Sequence, residues 1–304
     1  RQRGIDAPML LLGNLTQAED LRRCLHWQLM PTLSSMREVL LCQNLASSSG
    51  RRFQVQLKMD TGMARLGCDW HEAPRLVRAI RQLDDLELCG LYSHLACADG
   101  DPGGDDGAVT ALQQQRFQEV IRALPQAGRD LCRHLANSAG TLLRPELHHD
   151  MVRVGLALYG HAPAEHLGNV IPLQPALAVR ARVTLIRSIA AGVGVSYGHR
   201  FVSQRPTRLA VVAIGYADGV IRSLSGKIHG LHQGQTIPQV GAITMDQMLF
   251  DVSEAPDVEV GSTVTLLGSD GNASISPQHW SDRCDSIPWE ILCGFKRRLP
   301  RVEV

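Results

Sequence analysis

Apolar residues in the first half of the chain come in short runs separated by longer stretches of helical periodicity, the grammar of a parallel α/β fold. Met9–Gly13, Met-Leu-Leu-Leu-Gly, reads as a buried strand. Thr16 and Glu19 stand at capping-box spacing and predict a helix that buries Leu21, Cys24 and Leu25. Gln28–Leu33 predicts a second strand and Phe53–Lys58 a third, which alternates as Gln-Val-Gln-Leu-Lys. Leu76, Val77, Ile80 and Leu83 share one helical face, Leu86–His94 forms the next strand, and Phe117, Val120, Ile121 and Leu124 share another face. Arg133–Ala136 and Met151–Leu158 close the series at six strands. A parallel barrel needs eight, so residues 1–172 are expected to be a (β/α)8 barrel of the TIM type without its first two strands.

The pattern changes after about residue 172. Long helical periods give way to strand-like runs punctuated by Gly and Pro: Leu177–Ile189, Arg208–Ile214, Thr236–Gly241, Met248–Val252 and Thr263–Leu267. Residues 173–304 therefore read as an all-β second domain.

Composition narrows the function. With 44% hydrophobic and 20% charged residues the chain can bury a large core. A net charge of +1 without a run of Lys or Arg disfavours nucleic acid or an anionic membrane as partner and favours a small molecule. No apolar stretch is long enough to span a bilayer. Eight scattered cysteines without a C-x-x-C pair read as reduced, mostly buried thiols of a cytoplasmic protein. No metal-ligand spacing stands out. The acidic stretch Asp99–Gly107 lacks the glutamate and spacing of an EF-hand and reads as a solvated loop. Gly192–Gly198 carries glycines at dinucleotide-like spacing, but no helix opens after it, which argues against a Rossmann site.

The most informative segment is Lys58-Met-Asp-Thr-Gly-Met-Ala-Arg-Leu-Gly67. A strand ends on a lysine, a glycine-containing turn follows, and an arginine stands just beyond. In a barrel the loops after the strand C-termini form the active face. Lys58 and Arg65 could point two cations at an anion there, with a guanidinium gripping a carboxylate through two N–H groups. A surface turn with solvated charges satisfies the same spacing.

Further motifs follow in order: Ser93-His-Leu-Ala96, Ala136-Asn-Ser-Ala139, Arg153–Gly160, Val195-Ser-Tyr-Gly198, Ile214–Gly219, Met245-Asp-Gln247, and Trp289–Cys293 leading to Leu299-Pro-Arg301. Together they resemble the alanine racemases from the first residue to the last. The resemblance implies an isomerase that interconverts L- and D-alanine with pyridoxal 5'-phosphate (PLP), a head-to-tail homodimer, and supply of D-alanine for peptidoglycan in a bacterial cytoplasm. Tyr197 matches the family's base, contributed across the dimer interface. A phenol titrates near about 10 and needs nearby positive charge to serve as a base; in the family it contacts a histidine, here His94, which contacts an arginine, here Arg153. Arg153 also matches the residue that meets the cofactor's pyridine nitrogen, where a group that keeps its proton limits spread of negative charge into the ring.

Ser138 resembles the phosphate-binding serine, and Gly155 and Leu156 the pair whose backbone N–H groups complete that site. Arg65 and the backbone N–H of Met245 match the substrate-carboxylate clamp, and Lys58 a lysine often carbamylated in the family. Tyr216 and Asp218 match residues near the substrate entrance, and Asp246 follows Met245 in its motif. Trp289 stands where family members often carry a tyrosine whose hydroxyl reaches the phosphate; an indole donates but does not accept. Blander readings stay open beside these: Tyr197 filling a corner of the β-domain, Arg153 in a structural ion pair, Asn137-Ser138 as a helix cap. Related PLP decarboxylases share the architecture but lack these motifs. A broader racemase of small amino acids fits as well as a strict one.

The resemblance also implies a cofactor-bearing lysine in a K-A-x-A-Y-G-type motif on the first barrel strand. The chain has three lysines, Lys58, Lys227 and Lys296, none in such a context, and it opens on Arg-Gln-Arg-Gly. The sequence as written is therefore expected to be an N-terminally truncated, inactive form, the alternative being a non-catalytic relative of the family.

Overall fold

A computed structural model describes residues 1–124 and 130–303. The chain divides into two compact units, Arg1–Leu173 and Gln174–Val304.

The first unit is barrel-like and parallel. In chain order it runs β1 (Leu10–Asn14), α1 (Ala18–Trp27), β2 (Met30–Leu33), α2 (Met36–Ser49), β3 (Phe53–Asp60), β4 (Cys68–Asp69), α3 (Ala73–Arg81), β5 (Leu86–Tyr92), α4 (Asp105–Ala123), β6 (Cys132–His134) and α5 (Ser138–Leu143). The sheet order is β1-β2-β3-β5-β6, with the short β4 paired to the end of β3. Each long crossover supplies a helix whose apolar face covers the sheet: Leu21, Cys24 and Leu25 from α1, Leu76, Val77 and Ile80 from α3, and Phe117 and Val120 from α4 are all buried. The other face of β3 is also buried, and there it carries Gln56 and Lys58. Polar residues thus point into the barrel, and the site is built on them.

Several sequence expectations need correction. Thr16 and Glu19 form no capping box. Helix α1 is capped by Gln17 without a side-chain bond, and Glu19, inside the first turn, pairs with Arg22 and Arg23. A side-chain cap opens the next helix, α2, which no periodicity announced. Ser35 Oγ accepts from Glu38 N (3.3 Å), and the Glu38 carboxylate takes Ser34 N and Asn14 Nδ2. Met151–Leu158 is not a strand. It keeps one backbone bond beside β6, from Arg153 N to Ala136 O, next to the bond from Asp150 N to Arg133 O, and then turns into a 3-10 helix at Leu156–Tyr159. The acidic stretch is only partly a loop, since Asp105 and Asp106 form the first turn of α4, where the helix dipole favours negative charge.

The second unit is mainly antiparallel: β7 (Val179–Ile189), β8 (Gly194–Val195), β9 (Phe201–Val202), β10 (Thr207–Val212), β11 (His229–His232), β12 (Gln235–Val240), β13 (Met248–Asp251), β14 (Thr263–Asp270) and β15 (Ala273–Ile275). Seven strands make one sheet in the order β11-β12-β13-β10-β7-β14-β15, while β8 and β9 form a separate hairpin. Two short helices, α6 (Pro277–Ser281) and α7 (Pro288–Gly294), follow the strands of this β-domain. Its core includes Phe250, Trp280 and Phe295. The glycine-rich Gly192–Gly198 lies in the β8–β9 hairpin, with no nucleotide-type helix after it. All eight cysteines are free, but only Cys24, Cys42 and Cys68 are buried; Cys293 is exposed. Among the described residues no helix is long and apolar enough to cross a membrane.

Candidate active site

In the first unit the C-terminal ends of the strands gather around one guanidinium. Arg153 donates through Nη2 to Ser93 O (2.7 Å) and Leu135 O (3.0 Å), and through Nη1 to His134 Nδ1 (2.8 Å). Its Nη2 also lies 3.3 Å from His94 Nδ1, and its guanidinium carbon stands 5.2 Å from the centre of the Tyr92 ring. Among the described residues Arg153 makes no ion pair, and its Nε–H bonds to none of them. Every acceptor around it is neutral. Burial lowers Arg153 from the usual arginine range to about 10, which still leaves it a cation at neutral pH.

The two histidines take their state from this cation. Because a guanidinium only donates, both Nδ1 atoms present lone pairs to it, and each neutral ring carries its proton on Nε2. Burial first, and then the nearby cations, press His94 down to about 4; burial and Arg153 press His134 to about 3. Tyr92, itself buried, stacks on His134 with ring centres 4.6 Å apart and bonds Thr32 Oγ1 at 2.6 Å.

Lys58 is almost fully buried, with its ammonium 5.6 Å from the Tyr92 ring centre. Burial lowers its pKa, and Arg65 and Arg153 add to the effect. The turn after it is held by Asp60, whose Oδ1 accepts from Gly62 N (2.9 Å) and Met63 N (2.8 Å). Gly67 closes it at φ 122°, where a Cβ would fall 2.6 Å from Asp60 N. Arg65 projects from this turn and is exposed. Gln113 of α4 ties the turn to the next loop: its Nε2 donates to Thr61 Oγ1 (3.3 Å) and His94 O (2.9 Å), and its Oε1 accepts from Ala96 N (2.9 Å).

Ser138 opens α5, with Asn137 as its N-cap, so the helix-cap reading of that pair holds as well. Ser138 Oγ accepts from Gly155 N (2.9 Å) and Ala157 N (3.4 Å), which leaves its own proton to donate. Leu156 opens the following 3-10 turn, so its N–H has no acceptor inside that helix. Nothing lies within 4 Å of the position a Cβ would take on Gly155. These outward donors suit a phosphate.

In the second unit Tyr197 stands at the β8–β9 hairpin, 73% exposed. Ser196 before it has φ 61° and ψ −170°, a region otherwise used by glycine, and its hydroxyl is tied to Ala242 O at 2.8 Å. The loops carrying Tyr216 and Met245 are zipped by Tyr216 N to Thr244 O and Ala217 N to Met245 O, both 3.0 Å. Asp218 Oδ2 accepts from Gly215 N, its Oδ1 lies 2.9 Å from Arg298 Nε, and Arg298 also bonds Asp246. The Met245 N–H has no partner among the described residues. Trp289 is half-buried at the start of α7.

The first unit therefore brings Lys58 and Arg153 over the Tyr92 ring, with His94 against Arg153, and sets Ser138 with Gly155; the second brings Tyr216, Asp218, Met245 and Asp246 together. Sequence reasoning missed Gln56, Tyr92, His134 and Gln113. The polar alternation at Gln56 and Lys58 inside an otherwise buried strand was the available signal.

Solved structures that superpose on nearly the whole chain define its class. An alanine racemase from D-cycloserine-producing Streptomyces lavendulae matches with a TM-score of 0.90 and 34% identity, over 99% of this chain and 79% of its own. One from Bartonella henselae with covalently bound pyridoxal phosphate matches at 0.85 and 30% identity, over 98% and 79%. These are amino-acid racemases. In sequence, residues 1–163 fit the alanine racemase N-terminal domain and 176–303 the C-terminal domain. Alanine racemases of Prochlorococcus marinus (55% identical, 100% of this chain, 79% of the relative) and Synechocystis sp. (49% identical, 99% and 80%) align throughout. The chain belongs to the alanine racemase family.

Proposed function

We propose that this protein interconverts L- and D-alanine with PLP, as a head-to-tail homodimer in which Tyr197 and Met245 of one copy complete the site of the other. The observation that carries the reading is Arg153: a buried cation surrounded by neutral acceptors, with its Nε–H left to give. The donor set fits the cofactor at both ends. Arg153 Nε–H would meet the ring nitrogen, and the Ser138 hydroxyl with the Leu156 N–H beside Gly155 would meet the phosphate. When bound, the cofactor supplies an electron sink for the pair left at the substrate Cα.

The remaining work falls to side chains. Arg65 and the Met245 N–H orient the substrate carboxylate. Burial and two neighbouring guanidiniums favour the uncharged amine of Lys58, the form that takes up carbon dioxide, and the carbamate would then pair with Arg65. Tyr197 takes and returns the α-proton on one face. His94, kept neutral beside Arg153, offers its Nε2–H toward that phenol. Tyr216 and Asp218 shape the entrance, and the Arg298 bridge steadies Asp218 and Asp246. Cytoplasmic residence and supply of D-alanine to peptidoglycan complete the proposal by kinship.

The test is racemisation of L-alanine by the protein expressed from its gene with PLP present, together with its mass in sedimentation. The expected results are D-alanine formation, a dimer, and loss of racemisation in Tyr197→Phe. Turnover that survives Tyr197→Phe, or an active monomer, would contradict the proposal.

A further inference from the structure

Beneath Arg153 lie groups that the proposed chemistry leaves unused. His134 on β6 is fully buried; its Nδ1 takes Arg153 Nη1 at 2.8 Å and its Nε2 stands 2.7 Å from Gln56 Oε1 on β3. With the Nδ1 lone pair committed to a pure donor, the one proton of the neutral ring sits on Nε2 and donates to the carboxamide. The hydrogen bonds run in one direction, from Arg153 to His134 to Gln56, away from the face where Arg153 would meet the cofactor. Gln56 has room for this only because Gly90 lies beside it on β5. A Cβ there would come 2.8 Å from the Gln56 carboxamide carbon and 2.7 Å from Cys132 O.

We propose that Gln56 is a positioning residue for the reaction: acting through His134, it fixes the imidazole as the neutral Nε2–H tautomer with its lone pair on Arg153, so that Arg153 remains an oriented cation sharing its charge with no carboxylate. The inference rests on the reading that Arg153 meets the cofactor ring. A glutamate at this position would accept the same hydrogen bond but would draw a second proton onto His134. The resulting imidazolium has no lone pair for Arg153 and repels it. A carboxamide orients without charging. The groups facing His134 from its neighbours are Arg153, which resists protonation, Asp150, which opposes that effect, Tyr92 on the ring face, and the uncharged Gln56.

The test is two-bond 1H–15N correlation NMR of the chain with 15N-labelled histidine, the His134 signals being assigned by their loss in His134→Gln. The expected pattern is a neutral Nε2–H ring that stays unprotonated from about pH 8 to about pH 5. Gln56→Glu should raise the His134 midpoint by a unit or more, and in the holoenzyme should lower kcat tenfold or more with KM little changed. Gln56→Met, which removes the acceptor without adding charge, should leave His134 a neutral Nε2–H ring without its anchor on β3, with kcat lowered and the midpoint not raised, and guards against a Gln56→Glu chain that does not fold. An Nδ1–H ring in the unmutated chain, or a midpoint unmoved by a folded Gln56→Glu, would overturn the proposal. Failure of racemisation with the NMR pattern as expected would count against the racemase reading and leave the positioning intact.

Discussion

A guanidinium buried without a carboxylate depends on the lone pairs around it, and for Arg153 two of these belong to imidazoles, His94 and His134. Each is useful only while neutral, and burial with neighbouring positive charge keeps them so, down to about 4 and about 3. This has a consequence for stability. Below the ordinary histidine value of 6.5 the unfolded chain binds protons that the folded chain refuses, so these sites contribute fully above that value. The contribution is lost as pH falls toward about 4 and then about 3. Urea midpoints measured between about pH 7 and pH 5 should therefore fall with pH, and fall less steeply in His134→Gln. A midpoint independent of pH in the unmutated chain would show that the two rings are not held neutral.

At the scale of elements, the turn from β3 into β4 fixes where Arg65 can stand, and Gly67 fixes the turn. Its φ of 122° and its approach to the Met59–Asp60 backbone leave no place for a side chain. Gly67→Ala is expected to cost about 1–3 kcal/mol, read as a lowered urea midpoint, and to weaken substrate binding through Arg65; an unchanged midpoint would contradict the account. Periodicity made the strands around Leu10–Asn14, Phe53–Asp60 and Leu86–Tyr92 legible, because runs buried between helices have few polar interruptions. Helix α2 was hidden: its residues Met36–Ser49 mix small and polar side chains, although Ser35 and Glu38 carried the start signal credited to Thr16 and Glu19. Met151–Leu158 read as a strand because its composition is apolar, yet Arg153 anchors it and the chain turns at once into a 3-10 helix. Composition could not reveal that His134 and Gln56, 78 residues apart, share one hydrogen bond, since contacts across a barrel interior follow from strand order.

For the whole molecule, the candidate residues fall into two groups that belong to different compact units, Lys58 to Leu156 in Arg1–Leu173 and Tyr197 to Trp289 in Gln174–Val304. The proposal joins them through a second copy of the chain, so one unit must by itself recognise the cofactor ring and phosphate. That recognition is open to measurement without a covalent link. Titration calorimetry with 4-deoxypyridoxine phosphate, which has the ring and the phosphate but no aldehyde, tests it most directly. The account predicts saturable binding of one molecule per chain, weakened roughly tenfold or more in Ser138→Ala, as loss of a hydrogen bond to a charged group implies, and weakened again in Arg153→Gln. Absence of saturable binding, or equal affinity in all three chains, would contradict it.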